Sequence, residues 1–118
     1  MIEPGLIAEQ YLTGWNVTPT ERSNALVNWS EDATYIDPLM SAEGRDAIAA
    51  MIDKATAQFP GYRFALEGTP DGHGNYVRFT WNLAAPSGEV AARGTDIVRV
   101  DGGGRIAEVI GFLEVGAS

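Results

Sequence analysis

The last third of the chain, Ala91 to Leu113, reads AARGTDIVRVDGGGRIAEVIGFL, two β-rich runs flanking Asp101-Gly102-Gly103-Gly104. Consecutive glycines supply the positive φ that a tight hairpin needs, so a long hairpin is predicted here. One residue in it breaks the pattern. Asp96 shares a strand face with Ala92, Val98 and Val100. A carboxylate on an apolar face is costly unless it is paired, hydrogen-bonded or neutralised. The remaining sequence reads as a container built around that aspartate.

The 118 residues suit one domain with one core, and no repeat, low-complexity stretch or linker divides residues 1–118. Leu6, Ile7, Gln10, Tyr11, Gly14 and Trp15 recur at helical spacing, which predicts a first helix over roughly residues 4–16, with Pro4 in its first turn. Thr18-Pro19-Thr20-Glu21 leads into a second helix, carried by Leu26, Val27 and Trp29 to about Ser30. Asp32 to Asp37 is a short strand ended by Pro38, and the residue before a proline favours extended geometry. Gly44 to about Gln58 is a third helix with Ile48, Met51, Ile52 and Ala55 on one face, stopped by Pro60-Gly61. Strands follow: Tyr62 to Glu67, then, after a turn at Asp71–Asn75, Tyr76 to Ala84. Val77, Phe79, Trp81 and Leu83 share the apolar face of the second. Pro86-Ser87-Gly88 turns into the hairpin. Helices first and strands later predict an α+β fold, three helices on one face of a curved antiparallel sheet.

The sequence contains no cysteine, which excludes disulfides, thiolate metal sites and a cysteine nucleophile. The single histidine, His73, lies among glycines as a turn residue, so no metal site is expected. Gly102 to Gly104 lacks the lysine and helix of a phosphate loop. A net charge of −8 without a basic cluster argues against nucleic acid and anionic membrane as partners. No leader or membrane-spanning apolar run is read, so a soluble cytoplasmic protein is expected.

The element order resembles the nuclear transport factor 2-like cone, in which a curved, mixed sheet and three helices enclose a pocket. Trp29-Ser-Glu-Asp-Ala-Thr-Tyr-Ile-Asp37-Pro38, Gly44-Arg-Asp-Ala-Ile48 and Gly94-Thr-Asp96…Asp101-Gly-Gly-Gly-Arg105-Ile106 look like the SnoaL-like branch of that superfamily. The resemblance spans nearly the whole chain; it implies a fold but not one reaction, because this fold hosts many. The chain is also similar to the ketosteroid isomerase family. That similarity implies Tyr11 as an oxyanion-hole tyrosine, Asp37 as the proton-transferring base and Asp96 as a protonated acid donating to the same oxygen. Trp29 and Ile52 stand where the family has tyrosines that support the oxyanion tyrosine.

These roles are physically compatible. A base and an oxyanion donor cannot both be ionised carboxylates in one dry pocket, so one pKa must be raised, and ketosteroid isomerase itself is the known case of such a neutral acid. Asp96, among strand neighbours, suits the neutral role, and Asp37, beside a turn, the charged one. Other readings stay open. Asp37 closes a turn through its side chain, or Asp96 pairs with Arg93, Arg78 or a backbone group. Tyr11 is then simply core. Arg78 and Arg99 alternate outward.

Three functions are therefore weighed. The first is a cofactor-independent isomerase acting on a small neutral apolar ketone. The second is another SnoaL-like enzyme: a polyketide cyclase using Asp96 as its one acid/base group, or an epoxide hydrolase with Arg78 turned inward between aspartates. The third is a non-catalytic ligand-binding or dimerisation module, with a pocket filled by Trp15, Phe59 and Trp81. The first predicts an apolar pocket lined by Trp15, Met51, Phe64, Phe79, Trp81 and Val109. A homodimer is expected through the sheet's outer face, where Ile106, Ile110 and Phe112 face out if Val109 and Leu113 face in.

Overall fold

The computed structural model describes residues 3–114. Helix α1 spans Pro4–Asn16 and α2 spans Pro19–Ala25. Thr18 precedes α2, and the Glu21 side chain reaches back to it as a capping box. The second helix ends sooner than its periodicity predicts. Leu26–Asn28 tightens into a 3₁₀ turn, and Trp29 is already extended, opening strand β1, Trp29–Ile36. Trp29 is fully buried and pairs in register with Ile106, so sheet pairing and burial there override helical spacing.

After β1, the segment Asp37–Met40 folds back on itself. Asp37 N–H donates to Met40 O at 2.9 Å. A three-residue strand β2, Ser41–Glu43, then pairs antiparallel with β1. Sequence reasoning missed β2, which is too short to show a period. Helix α3 is Arg45–Thr56. The meander follows as β3 Arg63–His73, β4 Tyr76–Ala84, β5 Val90–Val100 and β6 Ile106–Leu113. Strand β3 runs well past Glu67, through a register shift before Asp71, and turns at Gly74-Asn75, with Gly74 at φ 56°. At the β5–β6 turn only Gly104 of the three glycines takes a positive φ, 81°. Asp101 closes that turn by accepting from Gly103 N–H and Arg105 N–H, each at 2.9 Å.

The sheet order is β2-β1-β6-β5-β4-β3, with β1 parallel to β6 and the other pairs antiparallel. The fold is thus an α+β cone: a mixed six-stranded sheet curving under three helices.

Two features tie the helices to the sheet. Asn16, the last residue of α1, donates to Phe64 O at 2.8 Å and accepts from Phe64 N–H at 2.9 Å, so its amide mimics a strand neighbour of β3. Arg22 is 1% exposed. Its guanidinium donates to Gly14 O at 3.0 Å and Val17 O at 2.7 Å, satisfying carbonyls left open at the end of α1. It also pairs with Asp53 of α3. Nothing in the sequence pattern marked Arg22, a charged residue in a short helix.

One face assignment changes. Ile106 is fully buried, not outward. Arg99 pairs with Glu108 but Val100 with Ile106, so one residue of β6 bulges and the alternation slips. Ile106 joins Val98, Val109 and Val77 in the core, leaving Ile110 and Phe112 on the outer face.

Candidate functional site

The space between α1, α3 and the concave sheet face holds a cavity of about 600 Å³. Its walls include Trp15, Met51, Phe64 and Trp81, four of the residues predicted to line it. Trp15 meets Phe64 edge-on at 5.1 Å, and Phe64 meets Trp81 at 5.3 Å, a continuous aromatic wall. Phe79 and Val109 are displaced from expectation. Both belong to the packed core rather than the wall, Phe79 against the Tyr11 ring at 5.2 Å. They point inward as alternation requires, but Phe79 is covered by Tyr11 of α1 and Val109 is fully buried in the core. Trp15, Phe59 and Trp81 line the space without filling it.

Asp96 lies on the cavity wall and is 2% exposed. Its cross-strand partners are Phe79 on β4 and Gly111 on β6. The Trp81 indole N–H donates to Asp96 Oδ1 at 3.1 Å. Gly94 makes this possible: a Cβ there would stand 2.4 Å from Trp81 Cζ2, so only glycine lets the indole lie across β5. Burial pushes the Asp96 pKa up to about 6. The Tyr11 and Trp81 hydrogen bonds oppose the rise, and the Asp37 charge adds to it. The expectation of a raised pKa at Asp96 rested on strand alternation and on the family resemblance, and desolvation is its first cause here. Neither Arg93 nor Arg78 pairs with Asp96; they pair with Glu67 and Asp71.

Asp37 also lines the cavity. Its Oδ1 accepts from Leu39 N–H at 2.8 Å and Met40 N–H at 3.0 Å, so the side chain does close its own turn. Its Oδ2 accepts from the Tyr35 hydroxyl at 2.6 Å. Tyr35 was overlooked in the sequence. Residues two apart on a strand share a face, and Tyr35-Ile36-Asp37 was sufficient to place a hydroxyl beside the carboxylate.

The two aspartates meet at Gly111. A Cβ there would lie 2.9 Å from Asp96 Oδ1 and 3.2 Å from Asp37 Cβ. The side chains thus stand on either side of one vacant Cβ position. Tyr11 of α1 is buried beside them, its ring stacked on Trp29 at 5.6 Å. Burial and the neighbouring Asp96 hold the Tyr11 pKa well above the ordinary phenol value. Burial, and after it the hydrogen bond to Asp37, raises that of Tyr35. Both phenols stay protonated and are available as donors. Trp29 thus offers Tyr11 a stacking face where a supporting tyrosine would offer a hydroxyl; Ile52 is core.

Arg78 does not turn inward. It pairs with Asp71 at 2.9 Å on the outer surface, because β4 alternates regularly around it. The epoxide hydrolase reading therefore lacks its arginine.

A curved sheet under three helices, with paired acids and phenols in an otherwise apolar cavity, defines a cone of the nuclear transport factor 2-like class. Comparison with known proteins bears this out. The model of the SnoaL-like domain matches residues 8–109. A crystal structure from Agrobacterium tumefaciens strain C58, provisionally assigned as an isomerase of the SnoaL-like family, is 48% identical, covers 97% of this chain and 99% of that one, and superposes with a TM-score of 0.92. More distant structures share the fold. A protein from Jannaschia sp. CCS1, provisionally named a SnoaL-like polyketide cyclase, is 15% identical, with 92% and 83% coverage and a TM-score of 0.73. A Catenulispora acidiphila protein with a ketosteroid isomerase-like fold, in complex with trimethylamine, is also 15% identical, with 92% and 85% coverage and a TM-score of 0.73. No curated protein matches significantly. The chain belongs to the SnoaL-like family.

Proposed function

We propose that this protein is a cofactor-independent acid/base enzyme of the ketosteroid isomerase type, moving a proton between carbons of a small, largely apolar ketone. The observation that carries the reading is the meeting of Asp37 and Asp96 across Gly111, with Tyr11 beside Asp96, inside an apolar cavity. Asp37 Oδ2 takes a proton from the carbon next to the carbonyl, and the C–H electron pair moves onto the carbonyl oxygen. Tyr11 and protonated Asp96 donate to that oxygen. Asp37 then returns the proton to a second carbon, so nothing is consumed. An apolar ligand dries the site further and favours the protonated form of Asp96.

One observation favours a second reading. All of Asp37's hydrogen bonds run to its own turn and to Tyr35, so both of its carboxylate oxygens are already engaged. Asp96 would then be the single acid/base group, as in a polyketide cyclase.

The test is double-bond migration in a β,γ-unsaturated ketosteroid, followed by ultraviolet absorbance. Asp37→Asn is expected to lose more rate than Tyr11→Phe, whose removal of one oxyanion donor costs about 10²–10³-fold. Turnover unchanged in Asp37→Asn but abolished in Asp96→Asn would favour the cyclase-type reading. Turnover unchanged in both would sink acid/base catalysis at this site.

A further inference from the structure

We propose that the ligand carries a carboxylate at the end opposite its carbonyl, and that Lys54 on the cavity rim pairs with it. This rests on the reading of the cavity as the reaction site. Three charged side chains line the cavity among the described residues: Asp37, Asp96 and Lys54. The two acids stand together at Gly111. Lys54 lies in the last turn of α3, exposed, beside the rim residues Gln58 and Phe59.

Lys54 is the only lysine of the chain, and the protein carries a net charge of −8. Five of the seven arginines pair with a carboxylate, whereas Lys54 makes no ion pair among the described residues. An unpaired cation on the wall of the main cavity of an acidic protein is a specific placement. The dipole of α3 would be served equally by a cation elsewhere in that turn, so it does not account for the wall position.

The arrangement also fixes orientation. A carboxylate placed beside Asp37 and Asp96 would face both acids with no counter-charge, which is costly where Asp96 is buried. A carbonyl there meets Tyr11 and Asp96, and a carboxylate at the rim meets Lys54 while keeping contact with water. The substrate class that follows is an apolar oxo-carboxylic acid, held carbonyl inward.

The experiment compares 6-acetyl-2-naphthoic acid, with ketone and carboxylate at opposite ends of a flat apolar ring system, with its methyl ester, by calorimetry at low salt. Wild type is expected to bind the acid about fivefold more tightly than the ester, the size of a rim ion pair. Lys54→Met should equalise the two while leaving ester affinity within about twofold, Lys54→Arg should keep the preference, and high salt should erode it. Equal binding to wild type, a preference that survives Lys54→Met, loss of ester binding in that variant, or no binding of either compound would each overturn the proposal. Deuterium exchange next to the ketone, measured on the same samples in D₂O, reads proton transfer separately. Preference without exchange sinks the catalytic reading and spares Lys54; exchange without preference does the reverse.

Discussion

At the scale of single residues, Asp96 has a folded pKa raised to about 6 by burial. The sign of its effect on stability follows from proton counting. Between the ordinary carboxylate value and about 6, the folded state holds a proton that the unfolded chain has released. Asp96 therefore favours folding at low pH, and that contribution is lost as pH rises through about 6. The full swing is about 3 kcal/mol. Asp96→Asn keeps an acceptor for Trp81 but cannot ionise. It should be more stable than wild type at pH 8 by about 2–3 kcal/mol and close to it at pH 4, as urea midpoints at the two pH values would show. Equal stabilities at pH 8 would mean that Asp96 is solvated. Trp81→Phe removes a donor that lowers the Asp96 pKa, so the carboxyl carbon of Asp96 should titrate higher still by NMR. Asp96 was legible in the sequence because it violated a local pattern, a carboxylate on an apolar face, whereas Tyr11 and Asp37 were singled out by the family resemblance. Trp81 and Tyr35 violated none. Trp81 looked like wall, and only the flat indole over Gly94 makes it a partner of Asp96.

Elements show where local reading ends. The spans of α1, α3 and β4 follow from periodicity with little correction. The early end of α2, the short β2 and the inward turn of Ile106 depend on pairing between segments far apart in sequence, which no window of residues contains. The two glycines of the inner face separate structure from function within the same strands. At Gly94 an added Cβ would meet the Phe112 carbonyl at 2.7 Å as well as Trp81, and backbone cannot swing away. Gly94→Ala should cost about 1–3 kcal/mol in denaturant midpoint. At Gly111 the nearest atom is the free end of the Asp96 side chain. That carboxyl can rotate aside, so Gly111→Ala should fold with a smaller loss yet disrupt the meeting of the aspartates. If Gly111→Ala proves the less stable of the two, the contrast drawn here between yielding side chain and fixed backbone is wrong.

For the whole molecule, the open question is what covers the convex side of the sheet. Helices protect only the concave side. On the other, Ile36, Ile110 and Ile97 lie side by side across β1, β6 and β5, with Phe112 one step along β6. Ile36 is 53% exposed and Phe112 55%, in a structure whose other large side chains are mostly interred. The loss of Ile106 to the core narrows this strip but does not remove it. A contiguous apolar patch on a sheet face is the usual mark of an interface. We propose a homodimer in which two such faces pack against each other, flanked by the outward pairs Arg78–Asp71 and Arg99–Glu108. Neither pair neutralises the chain, whose net charge of −8 disfavours self-association, so apolar burial has to outweigh that repulsion. Dimerisation should therefore tighten with added salt, which screens like charges and leaves apolar contact intact. Phe112→Asp places a charge on the strip, on the opposite face of the sheet from the cavity acids. It should yield a folded monomer, seen as a halved mass by light scattering at micromolar concentration with an unchanged far-ultraviolet spectrum. A wild-type monomer under those conditions, or a dimer untouched by Phe112→Asp, would place the interface elsewhere or remove it.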